Sequence, residues 1–177
     1  WNRKLSKKSA FTNGFGKFGT RTEMIKHKNN PFCEAIDIFM EKYSAPLDKI
    51  FREDILFRGV DGITVYGEFF GENSFAGQHD WNEPHDVVIF DMFMYKKDFV
   101  KTGDFINLFE HLGIPKVVSQ GILDEDMILD IIENLYNLKE GVVFKGVYNQ
   151  KVWMAKVKTQ HWLDKVRALY GINNNIE

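Results

Sequence analysis

Residues 140–158 read EGVVFKGVYNQKVWMAKVK, and their alternation decides how the rest of the chain is taken. Val, Phe, Tyr, Trp and Met recur through two runs, Gly141 to Tyr148 and Lys151 to Lys158. Asn149-Gln150 stands between them at the spacing of a hairpin. In the second run Lys156 and Lys158 project from one strand face, and Trp153, Ala155 and Val157 from the other. Adjacent ammonium groups repel, which is tolerable on a solvated edge and favourable around a polyphosphate. In the first run Glu140 and Lys145 fall on opposite faces by strict alternation. They reach one site only if Glu140 lies in the turn before the strand.

A second strand pair is expected upstream. Gly62 to Phe70 alternates Ile63 and Val65 with Thr64, Tyr66 and Glu68. Val87 to Tyr95 is a strongly apolar run of central-strand length. The loop Gly71 to Pro84 joins them. Between and beyond lie helical patterns. Asn30-Pro31 supplies a cap and a first-turn proline for a helix through Ile36, Phe39, Met40 and Tyr43, which Pro46 ends or restarts. Phe105, Leu108, Phe109 and Leu112 mark a short helix closed by Gly113. Asp124 caps another whose inner face is Met127, Ile128, Ile131 and Leu135. Residues 161–170 form a last helix with Leu163, Val166 and Leu169 inside, ending at Gly171. Residues 1–22 lack a helical period and read as strand and loop, anchored by Phe11, Phe15 and Phe18. The expectation is an α+β chain of mainly antiparallel sheets flanked by helices, with one domain over 1–170 and a frayed tail over 171–177.

Composition bounds the partners. The chain has 177 residues, 44% hydrophobic and 27% charged, with a single cysteine, Cys33, read as a buried small hydrophobe. No apolar run approaches the roughly 20 residues of a membrane helix. The segment WNRKLSKKSAF has no apolar core, so no secretory signal, no membrane partner and a cytoplasmic setting are expected. The net charge of -2 conceals segregation. Residues 1–28 hold eight basic groups against Glu23, and residues 145–170 hold six against Asp164. The intervening 29–144 hold nine basic residues against 22 acids. A positive surface on an acidic chain suits phosphate, although two solvated basic ends explain it as well.

Three further features bear chemistry. Glu68, in YGEFFG, is a carboxylate flanked by glycines that let a ligand approach the backbone, or a plain solvent-facing glutamate. Phe90-Asp91 lies in an apolar run. Its Asp needs a partner, and its Phe is either core or a stacking surface for a base. His79, Asp80, His85 and Asp86 contain metal-binding residue types, but a polar loop explains them more cheaply. No phosphate-binding loop of the Gly-x-x-x-x-Gly-Lys-Ser/Thr kind and no Gly-x-Gly-x-x-Gly after a strand occurs in the chain.

Taken in order, YGEFFG, VIFDMF, EGVVFKG and KVWMAKVK resemble motifs III, IIIa, IV and V of the nucleotidyltransferase domain of ATP-dependent RNA ligases, the phage-type and RNA-editing branch. FGTRT is similar to that family's arginine segment. The resemblance implies a nucleotidyltransferase fold of the ligase and capping-enzyme type. It implies ATP and Mg2+ as cofactors, and as partner an RNA with 5′-phosphate and 3′-hydroxyl ends, sealed by a monomer. In that likeness Glu68 contacts the ribose, Phe90 stacks on adenine and Glu140 places the metal. Lys145, Lys156 and Lys158 engage phosphates, and Arg21 lies near the nucleotide or the RNA end. Residues 1–28 help guide RNA.

The family's nucleophile sits in Lys-x-Asp/His-Gly, and no such sequence occurs here; Lys4, Lys7, Lys8 and Lys17 all lack it. The likeness puts that lysine at or before Trp1, so an active ligase with its nucleophile upstream of residue 1 is expected. The chain as written is expected to bind nucleotide poorly and to form no lysyl-adenylate. About twenty residues follow the last motif, which fits either a minimal ligase or a chain cut at that end. A DNA ligase, a capping guanylyltransferase and a non-catalytic nucleic-acid-binding module of the same fold are the alternatives.

Overall fold

The computed structural model describes residues 1–8, 13–25, 32–72 and 82–170. The chain divides into two compact units, Trp1–Pro115 and Lys116–Glu177, each with its own helices and its own two-stranded antiparallel sheet. The α+β expectation is met. Phe11, the Asn30-Pro31 helix start, His79, Asp80 and the tail from Gly171 lie outside the described residues.

In the first unit, α1 (Arg3–Lys8) replaces the strand and loop expected at the N-terminal end. Its cause is local and tertiary together. The Asn2 carboxamide accepts from the Lys4 and Leu5 amides, capping the first turn. The Arg3 guanidinium donates to the carbonyls of Val60, Phe57 and Phe51. No hydrophobic period announces a helix held in this way.

α2 (Cys33–Phe39) and α3 (Ala45–Glu53) are joined by a π-helical turn, Met40–Ser44. Pro46 therefore restarts the helix rather than ending it. A proline here has no N–H for the carbonyl four residues back, and a widened turn ahead of it relieves the clash of its ring. Cys33 is half-buried rather than buried. The inward stripe of Phe39, Tyr43, Leu47 and Phe51 packs on the inner face of β1 (Ile63–Phe70) and β2 (Asp86–Met94). That face carries Ile63, Val87, Ile89, Met92 and Met94. α4 (Thr102–Phe109) adds Phe105 and Phe109, and Gly113 at φ 78° ends the following 3-10 turn as expected. Phe15 is buried and Phe18 packs against this core, as expected of anchors. The many phenylalanines thus have a use: edge-on contacts join Phe15 to Phe39 and Phe51 to Phe57 and Phe109, and a tilted contact links Phe15 to Phe51.

Two polar clamps fasten the helices to the sheet. Lys42 pairs with Asp86 at 2.7 Å and also donates to the Val87 carbonyl, which takes the Tyr43 hydroxyl as well. His85 lies tilted against the Phe69 ring and places both ring nitrogens on acceptors, Nε2 on the Glu72 carbonyl at 2.5 Å and Nδ1 on Glu34 at 2.7 Å. Two acceptors call for two N–H donors, hence the imidazolium. The carbonyl of Glu72 first, and the Glu34 carboxylate second, hold this histidine above its usual range. A folded-state value above the unfolded one stabilises fully below about pH 6.5 and fades as pH rises through the raised value. His85→Gln is therefore expected to lower the melting temperature most at acidic pH, with the deficit closing toward alkaline pH. A deficit independent of pH between about 5.5 and 8.5, the range in which histidine changes charge, would show that the charge is not what matters.

In the second unit, Asp124 caps α5 (Glu125–Ile132), its carboxylate accepting from the Met127 amide at 2.9 Å. Ile131 is buried, and Met127 and Ile128 are half-buried, but Leu135 is exposed. The helix stops before it, at Ile132, Asn134 turns into the left-handed region, and the periodicity no longer applies. β3 (Gly141–Tyr148) and β4 (Lys151–Lys158) pair without a register shift, and Asn149 and Gln150 both have positive φ, the turn that a two-residue hairpin requires. Thr159, fully buried, caps α6 (Gln160–Tyr170) through its hydroxyl to the Trp162 amide. Trp162 fills the core here; Leu169, expected inside, is half exposed.

Candidate functional site

The candidate residues fall in both units, and each group has its own geometry. In the first unit, Glu68 stands exposed on the outer face of β1, with Tyr66 and Phe70 on the same side. Across from them β2 bulges. Tyr66 pairs with Asp91 and Gly67 with Ile89, so Phe90 is the inserted residue. A bulge re-aims the side chain it carries. Phe90 lies 6.5 Å from the Tyr66 ring, and Tyr66 lies 5.9 Å from Phe99, both at about 30° between planes. Phe90 is thus half-buried in an aromatic shelf on the outer face, not a member of the fully buried core. Asp91 is buried, and its carboxylate accepts from the Met92 amide at 3.0 Å. Arg21 is exposed on the turn Thr20–Glu23, which closes a small hairpin between Phe18 and Ile25.

In the second unit the hairpin register settles what spacing left open. Lys145 faces Met154, Val143 faces Lys156, and Gly141 faces Lys158. Directly paired residues share a face, so Lys145, Lys156 and Lys158 stand on one side of the sheet. Glu140 precedes the strand, which is the condition under which it joins them. Its carboxylate pairs with the Lys158 ammonium, and its carbonyl accepts from the Thr159 amide. Phe144, Ala155, Trp153 and Val157 lie on the opposite face, as the alternation predicted.

Two glycines make this arrangement possible. Gly141 has φ 154°, and a Cβ there would overlap the Val157 carbonyl oxygen and sit 2.8 Å from the Lys158 Cα. Only glycine lets the chain turn from Glu140 into β3 so close to Lys158. A Cβ on Gly146 would strike the indole of its cross-strand partner Trp153.

A magnesium ion commonly takes one or two carboxylates and fills its octahedron with water and substrate phosphate. Glu140 supplies one such carboxylate beside three lysines, and in this structure that carboxylate pairs with Lys158. Among the described residues no group of three or more His, Cys, Asp or Glu stands ready to hold a metal alone. His85 and Asp86 are committed to the two clamps. Those clamps, with the Phe99 side of the shelf, were not signalled by any motif; only the pairing of distant segments reveals them.

Residues 9–158 match the profile of a ligase family, that of the RNA ligases. The match covers most of the sequence, and the chain belongs to the RNA ligase family. No curated protein and no solved structure matches it. No helix among the described residues is long and apolar enough to cross a membrane.

Proposed function

We propose that the chain is the nucleotidyltransferase part of an ATP-dependent RNA ligase. It joins 5′-phosphate and 3′-hydroxyl ends through lysyl-adenylate and RNA-adenylate intermediates. The observation that carries this reading is the placement of Lys145, Lys156 and Lys158 on one hairpin face with Glu140 at its mouth. Phosphoryl transfer asks for positive charge around the transferred group more than for acid-base residues. In the joining step the 3′-hydroxyl oxygen bonds to the 5′ phosphorus as the bond to AMP breaks. The three ammonium groups then face the charge that builds on the phosphate oxygens. Glu140 would hold Mg2+, which supplies further neutralisation of those oxygens. Phe90 takes the adenine face, Glu68 the ribose hydroxyls, and Arg21 the nucleotide or the RNA end. No lysine of residues 1–177 lies in Lys-x-Asp/His-Gly, so none of them is assigned as the nucleophile of the first step.

RNA already adenylated at its 5′ end bypasses that lysine and isolates the joining step. With magnesium and a 3′-hydroxyl strand, the chain is expected to yield sealed RNA and free AMP. Glu68→Ala is expected to slow this roughly 10- to 100-fold, the cost of losing hydrogen bonds to a charged group. Full-rate sealing by Glu68→Ala would remove Glu68 from the site. RNA binding without any sealing would favour the second reading, a non-catalytic RNA-binding module, which the lack of Lys-x-Asp/His-Gly also suits. DNA ends sealed as fast as RNA ends would move the reading to a DNA ligase.

A further inference from the structure

We propose that the end of the β1–β2 sheet around Tyr95, in the first unit, binds single-stranded RNA. The proposal rests on the ligase reading for its choice of RNA but uses none of the residues assigned to chemistry. Tyr95 follows β2, and its amide donates to the Gly62 carbonyl, so its side chain continues the face that carries Phe93 and Tyr66. It is 59% exposed. Further along the same face lies an aromatic row: Phe93 and Phe99 are 5.3 Å apart, and Phe99 leads to Tyr66.

The charge around Tyr95 is positive. Lys96 holds its ammonium 5.5 Å from the Tyr95 ring, and Lys97 is exposed beside it. Of the adjoining acids, Asp98 turns its carboxylate back onto the Phe99 amide at 2.7 Å, and Asp61, exposed just before Gly62, is outnumbered by the lysines. Lys96 adopts φ 64°, a backbone conformation that glycine or asparagine enters more cheaply. A lysine kept there at a conformational cost puts a cation at the tip of the turn. The other edge of the sheet adds more: Asn2 bridges Gly62, so α1 starts at this same end. That helix exposes Lys4, Lys7 and Lys8 and has no acid.

An exposed ring flanked by cations is the combination that binds single strands, with bases stacking on the ring and phosphates meeting the ammonium groups. Duplex RNA keeps its bases stacked and offers no such face to the ring.

The test is equilibrium binding of a labelled, unstructured oligoribonucleotide of about ten nucleotides, a length within the span of single-strand sites. Tyr95→Ala is expected to weaken binding roughly tenfold, whereas Tyr95→Phe retains it. Lys96→Ala combined with Lys97→Ala is expected to flatten the salt dependence by about 0.7 for each phosphate that is no longer neutralised. A duplex of the same sequence is expected to bind wild type and Tyr95→Ala alike. Circular dichroism checks that the exposed-site variants remain folded. Unchanged affinity in Tyr95→Ala, or equal losses in Tyr95→Ala and Tyr95→Phe, would overturn the stacking surface. Sealing of pre-adenylated RNA by the wild type would then leave the ligase reading intact. A wild type that neither binds the oligonucleotide nor seals would overturn both.

Discussion

Lys158→Ala is expected to slow the sealing of pre-adenylated RNA by about 100- to 1,000-fold, the range for removing one electrostatic contact to a transition state. The side chain is held where it would act, on the Lys145 and Lys156 face, with Glu140 beside it and Gly141 directly across the hairpin. Neither Lys158 nor Glu140 is deeply buried, at 31% and 33% side-chain exposure. An ion pair so open to solvent contributes little to folding, about 1 kcal/mol at most. The variant should therefore melt close to wild type while losing the reaction. Lys158→Arg keeps the charge but replaces a compact ammonium by a planar fork, and partial activity is expected. Single-turnover rates at saturating RNA separate impaired chemistry from impaired binding. A wild-type rate in Lys158→Ala would remove this lysine from the phosphate site.

Phe51→Ala is expected to be the most damaging change to the fold of the first unit. The ring is fully buried and makes edge contacts to Trp1, Phe57 and Phe109, with Phe15 nearby. Phenylalanine-to-alanine changes at such positions cost about 3–5 kcal/mol, because a cavity remains where rigid rings cannot collapse. Total stabilities of domains are about 5–15 kcal/mol, so the loss is a large share. A fall in melting temperature of roughly 10–20 °C is expected. The carbonyl of Phe51 also receives Arg3, so amide exchange should quicken in α1 as well as in α3. A shift of only a degree or two would mean that neighbouring rings refill the space and that the aromatic network is looser than its distances suggest.

Much of this was legible in the sequence, for identifiable reasons. The 140–158 stretch is self-sufficient: alternation, two residues between runs and positive-φ-tolerant Asn149 fix a hairpin from local rules alone. Asp124 and Gly113 work the same way, since a cap acts on amides within a turn of itself. Where the reading failed, the cause lay beyond the segment. Leu135 and Leu169 fit a helical period, but a period does not say where the helix stops or which neighbour covers it. α1 exists because Arg3 finds three carbonyls some fifty residues away.

The candidate site divides along the same line. The order of its motifs marked Glu68, Phe90, Glu140 and the lysines by residue type alone. Only the tertiary structure shows that Glu140, just before its strand, meets Lys158, and that Phe90 is the inserted residue of a bulge. A bulge is a property of two paired strands, so one strand's alternation cannot announce it. Residue types and their local spacing set the chemistry available to this protein. Which groups share a face was decided by register, because strand partners come from distant parts of the chain and a one-residue slip would reverse every side chain.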